Sequence, residues 1–368
     1  MNNAQLLEVY LAAERVGRMA LTPDGLCGFE YDVRWLQAGF SISPLHLPLK
    51  TGLIIAKRDP FQGNFGVFDD SLPDGWGNLL LDRFLREKGI DPYKLTVLQR
   101  LSLIGSTGRG ALEYRPDSSM TDGNELLDFD KLAAEAEKVL LRKDTGDLLD
   151  ILYRYGGSSG GARPKVFANV DGREWLVKFK STNDPADVGR IEYEYSLLAK
   201  DCGIAMPETR LFEDKYYGVV RFDRTPTGKV HTVSAAGLLH ADYRIPSLDY
   251  SMLFKLTLHL TKDMEQVCDM FRLMVFNVLI SNRDDHAKNF SFQYIDGEWG
   301  LSPAYDLLPS PGFNGYHTTT IRGKGEPSLV DIMFIANEVG LSKQRARQII
   351  DLLIEKCSER KMMNYKLK

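Results

Sequence analysis

Ser281-Asn282-Arg283-Asp284-Asp285-His286-Ala287-Lys288-Asn289 is a dense polar run set between two apolar segments, Met274–Ile280 and Phe290-Ser291-Phe292. A loop meant only for solvent has no reason to be gripped this way. Apolar flanks draw it towards a core, and each polar group drawn in then needs a partner. Chemistry supplies a reason. Asp284 can accept a proton from a hydroxyl, and the amide oxygen of Asn289 can hold a hard metal ion. His286 offers an imidazole to zinc in principle, but no His or Cys clusters around it. A structural or supporting role for it is the better reading.

An Asp followed five residues later by Asn is the spacing of a kinase catalytic loop. Three further features lie in kinase order around it. Asp306, seventeen residues after Asn289, sits in the apolar setting Leu301-Ser302-Pro303-Ala304-Tyr305-Asp306-Leu307-Leu308. An acidic residue there is costly unless paired or bound to metal. The plain alternative is an Asp that caps a turn. Upstream, Lys178 interrupts the apolar strand pattern Trp175-Leu176-Val177-Lys178-Phe179. Lysine is almost never buried unpaired, so it is either an outward-facing edge residue or a phosphate contact held by a carboxylate. Glu192 and Glu194 on the next predicted helix are the candidate carboxylates. Before that strand comes Gly156-Gly157-Ser158-Ser159-Gly160-Gly161-Ala162. Such a loop can lay backbone N–H groups against phosphates, and alone it could equally be a linker.

Composition narrows the setting. The chain has 368 residues, a prior of two to three domains, with 43% apolar and 26% charged residues, so wholesale disorder is excluded. A net charge of −4 argues against a general nucleic-acid coat. Four cysteines lie far apart (Cys27, Cys202, Cys268, Cys357), which predicts reduced thiols. The start lacks a signal-peptide pattern, and no apolar run reaches the ~18 to 20 residues a membrane helix needs. The expected setting is the cytoplasm, without membrane contact.

Periodicity predicts strands at Gly28–Tyr31, Ser41–Ser43 and Ala111–Tyr114. It predicts a turn at Asp74–Asn78 feeding a helix over Leu79–Lys88. A polar stretch over 115–124 places a boundary near 115–125. Helices are expected over Phe129–Val139 and Thr145–Tyr153. A hairpin follows, Lys165–Val170 and Glu174–Phe179 around Asp171-Gly172. Then come a helix at Arg190–Asp201, strands at Thr209–Phe212 and Gly218–Phe222, and mostly helix after Asp249, with a loop region over 303–325.

SSGGARPK (Ser158–Lys165), VVRFDR (Val219–Arg224), NRDDHAKNFSF (Asn282–Phe292) and SPAYDLLP (Ser302–Pro309) resemble the HipA family of serine/threonine kinases. These are toxins of bacterial type II toxin–antitoxin modules. SPLHLPL (Ser43–Leu49), FDDSLPDGWG (Phe68–Gly77) and IGSTGRGALEY (Ile104–Tyr114) resemble the family's N-terminal subdomain, so the likeness covers nearly the whole chain. It implies an α+β, two-lobed protein-kinase-like fold. An α/β N-terminal lobe carrying an N-terminal subdomain is followed by a mainly α-helical C-terminal lobe, with ATP between them. The corresponding segments are 1–120, 121–225 and 226–368.

The resemblance also assigns roles. Asp284 matches the catalytic aspartate, Asn289 and Asp306 the magnesium ligands, and Lys178 the lysine on the ATP phosphates. Ser159, Gly160, Gly161, Ala162, Val220, Phe222, His286, Lys288 and Tyr305 fall where the family meets nucleotide. The family usually has Glu at the position of Val220, and a backbone contact there tolerates the change. Asp285 stands where some members carry a small residue, and the sequence offers no physical account of it. Ser158 matches the autophosphorylated serine, with Ser159 the alternative. The implied partners are a helix-turn-helix HipB-like antitoxin, operator DNA reached through it, and a protein substrate such as an aminoacyl-tRNA synthetase.

Two rival readings are a small-molecule kinase of related fold and a catalytically weak nucleotide-binding co-repressor. Intact Lys178, Asp284, Asn289 and Asp306 count against the second. The basic run Lys343-Gln344-Arg345-Ala346-Arg347 and the tail Lys356–Lys368 read as a solvated helix face and a frayed tail rather than a DNA surface.

Overall fold

The computed structural model describes residues 6–120, 127–143, 148–312 and 314–367. Its chain divides into two units: Met1–Arg190 with Arg210–His231, and Ile191–Thr209 with Thr232–Lys368.

The first unit opens with alternating apolar residues that make strands. β1 (Leu6–Leu11), β2 (Glu14–Leu21) and β3 (Cys27–Tyr31) precede α1 (Val33–Ala38) and β4 (Ile54–Ile55). Next come α2 (Gly66–Asp69), α3 (Gly75–Glu87), α4 (Val97–Ile104) and β5 (Leu112–Arg115). The strands form one sheet in the order β4-β3-β2-β1-β5. Leu7, Val9, Met19 and Phe29 are fully buried on one face of it, as period-two patterning dictates, and Val16 is buried at the register shift between β1 and β2.

After α5 (Phe129–Leu140) and α6 (Leu149–Gly156), the hairpin of β6 (Lys165–Val170) and β7 (Arg173–Lys178) begins a second sheet. Asp171 and Gly172 both have positive φ, the two-residue turn that matches strand twist. α7 (Val188–Asp201) carries the chain on to β8 (Thr209–Phe212) and β9 (Tyr216–Val220), and the sheet order is β6-β7-β9-β8. Trp76, Leu80, Leu81 and Leu85 of α3 share one hydrophobic core with Leu152 and Tyr153 of α6 and Val166, Trp175 and Val177 of the hairpin. The N-terminal third and the second sheet are therefore joined through a common core.

A small hairpin of β10 (Arg224–Thr225) and β11 (Gly228–Lys229) leads to the second unit. There the chain runs through β12 (His231–Ser234), α8 (Ala235–Leu239), β13 (Leu248–Asp249), α9 (Tyr250–Thr261) and α10 (Met264–Ile280). It continues through β14 (Ser291–Ile295), β15 (Glu298–Leu301), β16 (Thr319–Thr320), α11 (Leu329–Glu338) and α12 (Lys343–Glu359). The C-terminal half of α10 is buried all round, every residue from Met274 to Ile280, so it runs through the core of this unit. No helix among the described residues is long and apolar enough to cross a membrane.

Several expectations need correction. Ser41–Ser43 is a loop with only an isolated bridge from Ser43 to Leu47, because Ser41 Oγ and the Tyr31 hydroxyl both turn to the Leu47 carbonyl. Gly75–Asn78 is the first turn of α3, not a turn before it. Phe222 lies beyond the end of β9. The segment after Asn289 is a β14–β15 hairpin rather than helix. The tail is docked rather than frayed: the backbone N–H groups of Asn364 and Tyr365 donate to the Leu279 carbonyl at 2.9 and 3.0 Å. In the helix at Thr145–Tyr153, residues 144–147 lie outside the described residues, as do 121–126 of the boundary region, the first five residues and Lys368. The four cysteines are buried free thiols.

The VVRFDR motif explains how the two halves of the first unit are fastened. Asp223 is buried between Arg221 and Arg224, with Nη2 of Arg221 and Nη1 of Arg224 each 3.0 Å from Oδ2. The Gly110 N–H donates to Oδ2 at 2.8 Å, while Arg224 reaches the carbonyls of Gly108 and Gly110 at 2.8 and 2.9 Å. Burial alone would raise the Asp223 carboxyl, but the two guanidinium groups and these bonds outweigh it and hold it well below the usual carboxylate range. Removing one partner of a buried ionic cluster leaves uncompensated charge. Asp223→Ala is therefore expected to cost about 3–5 kcal/mol in urea denaturation. Because the folded carboxyl titrates below its unfolded value, the cluster's contribution is complete above about pH 4 and is lost as pH falls further. The wild type should lose stability below that pH more steeply than the Asp223→Ala variant.

Candidate active site

In the first unit the glycine-rich loop over 156–163 rests on the start of α3. Asp74 does not cap its own helix; its carboxylate accepts the Gly161 N–H. The Trp76 N–H donates to the Gly161 carbonyl at 2.9 Å, and the Trp76 indole donates to the Lys165 carbonyl at 3.0 Å. Gly75 and Gly77 permit this contact. A Cβ on Gly75 would lie 2.7 Å from Ala162 Cα, and one on Gly77 would lie 2.5 Å from the Ser159 carbonyl. The DGWG run is thus a seat for the loop, a role its sequence did not reveal. Gly161 itself has φ +85°, and Lys165 Nζ donates to the Gly160 carbonyl.

The loop serines differ. Ser159 is 1% exposed, and its hydroxyl donates to the Gly156 carbonyl at 2.6 Å. Ser158 is half-buried and donates to the Thr107 carbonyl at 3.0 Å. Gly160 and Ala162 are exposed.

Lys178 is not an outward-facing edge residue. It ends β7, a strand flanked by β6 and β9, and is 8% exposed. It sits directly across from Lys165 in the register, and its Nζ lies 5.6 Å from the centre of the Tyr217 ring. Two buried lysines on one face of a hairpin concentrate positive charge beside the glycine loop. Val220 pairs with Trp175 at the end of β9, and Phe222 follows it, half-buried. In the second unit Glu192 is buried, while Glu194 lies 3.9 Å from Arg360.

The second unit gathers the rest. α10 ends at Ser281 in the left-handed conformation, and the polar run begins there. The Asp284 side chain is 62% exposed, with His286 Nε2 4.0 Å from its carboxylate. Asn289 Nδ2 donates to the Asp284 carbonyl at 2.7 Å. Asn282 Nδ2 donates to the Asn277 side chain at 3.0 Å and to the Asp306 carbonyl at 3.1 Å, so the Asp306 segment is tied to the loop. Asp306 has φ +54°, a conformation that non-glycine residues rarely hold without cause. His286 Nδ1 accepts the Lys288 N–H at 3.3 Å and so shapes the turn that presents Asn289. The Lys288 ammonium lies 4.2 Å from the centre of the Tyr243 ring. The Tyr305 hydroxyl donates to the Lys288 carbonyl and lies 2.6 Å from Ser291 Oγ. A cavity of about 310 Å³ borders Asn289, lined also by Ile204, Met270, Arg272, Phe290 and Pro303.

Asn289 spends its amide N–H₂ on the Asp284 carbonyl and keeps its oxygen as a hard ligand. Asp306 adds a carboxylate. An amide oxygen and a carboxylate, with the remaining positions left to water and phosphate, is a donor set that suits magnesium. Among the described residues no group of three or more His, Cys, Asp or Glu forms a metal cage.

Sequence reasoning missed the residues that hold the loop from within: Tyr250, Asn277, Asn282 and the run His317-Thr318-Thr319. Asp285, singled out but unexplained, is the residue they surround.

Comparison with known proteins gives the family. A model of the HipA N-terminal domain matches residues 7–115, and a model of the HipA-like C-terminal domain matches residues 157–361. The chain belongs to the HipA family. Among solved structures it resembles Shewanella oneidensis MR-1 HipA, determined in a toxin–antitoxin complex with HipB and operator DNA. The TM-score is 0.71 and the identity 18%, covering 98% of this chain and 92% of that one. The fold is thus the mixed α/β fold of HipA. A curated relative, "Putative kinase Y4dM" of Sinorhizobium fredii (strain NBRC 101917 / NGR234), is 26% identical over 350 residues, 88% of this chain and 81% of that protein.

The seat of the glycine loop is open to test. Gly77→Ala forces a methyl group against the Ser159 carbonyl and the Pro73 ring. Overpacking of this kind is expected to cost about 1–3 kcal/mol in urea denaturation. Hydrogen exchange over 156–163 should rise with it.

Proposed function

We propose that this HipA-family chain is an ATP-dependent serine/threonine protein kinase that acts as the toxin of a toxin–antitoxin module. The observation that carries the reading is the pair of neighbours Asp284 and Asn289. The carboxylate is presented to solvent, and the amide that fixes its backbone leaves an oxygen for a metal ion. Phosphoryl transfer asks little covalent chemistry of a protein; positioning and charge do most of the work. Asp284 orients the substrate hydroxyl and takes its proton. Lys178 offsets phosphate charge, and the N–H groups of the 160–162 loop donate to phosphate oxygens. Asn289 and Asp306 would hold magnesium, which when bound neutralises charge on the phosphoryl oxygens. Val220 and Phe222 offer backbone to adenine, and His286, Lys288 and Tyr305 keep the loop in shape beside the nucleotide.

Autophosphorylation on Ser158 rather than Ser159 fits the geometry. Ser158 is half-buried, whereas Ser159 is buried and its hydroxyl is bonded inside the loop. A phosphate on Ser158 adds nearly two negative charges and replaces a donor to the Thr107 carbonyl with a group that repels it. The loop would leave its seat, which makes the modification an off-switch. The HipB-bound neighbour supports a HipB-like antitoxin as partner, with operator DNA reached through it. A translation component such as an aminoacyl-tRNA synthetase is the substrate class that the family resemblance suggests.

The test is incubation with γ-labelled ATP and magnesium, alone and with a bacterial lysate. The wild type should label itself on the Ser158 peptide and one or more lysate proteins. Asp284→Asn should lose all transfer with an unchanged melting temperature, because that side chain is exposed. Transfer retained in Asp284→Asn would overturn its role, and label confined to a metabolite would favour the small-molecule kinase. Phosphate found only on Ser159 would overturn the Ser158 assignment.

A further inference from the structure

Beside the exposed Asp284 stands a second carboxylate with the opposite fate. The Asp285 side chain has no exposed surface. Burying a carboxylate costs several kcal/mol unless hydrogen bonds replace its water. Here four donors do so. The Tyr250 hydroxyl and His317 Nδ1 meet Oδ2 at 3.0 and 2.9 Å, and the N–H groups of Thr318 and Thr319 meet Oδ1 at 2.9 and 3.1 Å. Thr319 Oγ1 also donates to the Asp285 carbonyl.

The grip extends to both sides of Asp284. The Arg283 carbonyl accepts from the Thr318 N–H at 3.1 Å and from Thr318 Oγ1 at 2.9 Å. The chain is therefore held just before Asp284 and just after it by one downstream segment. Asn277 Nδ2 donates to the Tyr250 hydroxyl at 3.1 Å while its oxygen accepts from Asn282, which bonds the Asp306 carbonyl. A continuous buried network thus runs from Asp285 to the backbone of Asp306.

We propose that Asp285 is the positioning residue of the catalytic loop: its buried carboxylate roots the loop in the 317–319 segment so that the adjacent Asp284 is presented in one orientation. The proposal rests on the kinase reading for its consequence, though not for its geometry. The two neighbouring side chains face opposite ways, that of Asp284 62% exposed and that of Asp285 without exposed surface. An inward anchor at 285 therefore fixes an outward carboxylate at 284. Asp285 touches no substrate in this scheme; it acts through its neighbour.

The test uses the full chain and two variants. Asp285→Asn keeps size and one acceptor oxygen, but it turns the other oxygen into a donor facing Tyr250 and His317. Thr319→Val removes only the hydroxyl on the Asp285 carbonyl, and Thr319→Ser restores it. Two readouts are taken: steady-state transfer from ATP, and amide hydrogen exchange over 281–289 and 316–320. Asp285→Asn is expected to lose protection in both segments and about 10- to 100-fold in kcat, with KM for ATP changed less than about two-fold. Thr319→Val should follow in weaker form, and Thr319→Ser should match the wild type. Unchanged protection in Asp285→Asn overturns the anchor, and lost protection with unchanged kcat overturns its positioning role. If the wild type transfers no phosphoryl group, the kinase reading fails. The exchange data then decide alone: protection lost in Asp285→Asn and kept in Thr319→Ser sustains the anchor, and unchanged protection refutes it.

Discussion

A carboxylate can be buried without exposed surface only if the protein brings donors to it, and Asp285 obliges the second unit to bring four. Tyr250 begins α9, and His317, Thr318 and Thr319 come from a segment more than thirty residues downstream. Satisfying this one group fixes the path of the polar run from Ser281 to Asn289 and sets the 317–320 segment against it. The parallel pairing of Leu248-Asp249 with Thr319-Thr320 continues the same tie. Partly satisfied buried networks are costly, so the arrangement has few alternatives. A loop held this way can leave Asp284 in water without leaving it mobile.

The first unit solves a related problem by different means. Its glycine-rich loop has little side-chain bulk with which to pack, and glycine backbone is entropically expensive to order. The N-terminal third supplies the missing contacts. α3 brings Asp74 and Trp76 to the backbone of the loop, and two glycines let it come close. Arg221, Asp223 and Arg224 then fasten the Gly108–Gly110 turn to the end of the second sheet. The N-terminal subdomain is in this sense a brace for the loop as well as a sheet with its own core.

Legibility in the sequence followed the range of the interactions. Two apolar, β-prone runs around Asp171-Gly172 mark the β6–β7 hairpin within fourteen residues, so local pattern alone places Lys178 on a strand. The order and spacing of Asp284, Asn289 and Asp306 are readable because they match a pattern written in the sequence itself, with no long-range contact needed to see it. Asp285 was visible but inexplicable, since the partners of its side chain lie 32 to 35 residues away in both directions. DGWG has the pattern of a turn because glycine is a poor helix former, yet Gly75 and Gly77 stand in a helix where any side chain would strike the loop. The β14–β15 hairpin carries the same Asp-Gly turn, Asp296-Gly297 between Phe292-Gln293-Tyr294-Ile295 and Trp299, so its local signal is present and is passed over for the helical trend of the surrounding chain. The tail looked frayed because its charge is local, whereas its anchorage to Leu279 crosses most of the unit in sequence.

What remains is a division of labour among oxygens and cations. Lys165 and Lys178 supply buried positive charge. Asn289 and Asp306 are the proposed magnesium ligands, and each is tied to the loop through its own or a neighbour's amide. Nucleotide affinity is then expected to depend on magnesium through those two oxygens. Calorimetric titration with ATP, with and without magnesium, on the wild type and Asp306→Asn tests this most directly. Binding should tighten markedly with magnesium in the wild type and lose that dependence in the variant. Equal affinity under all four conditions would contradict it.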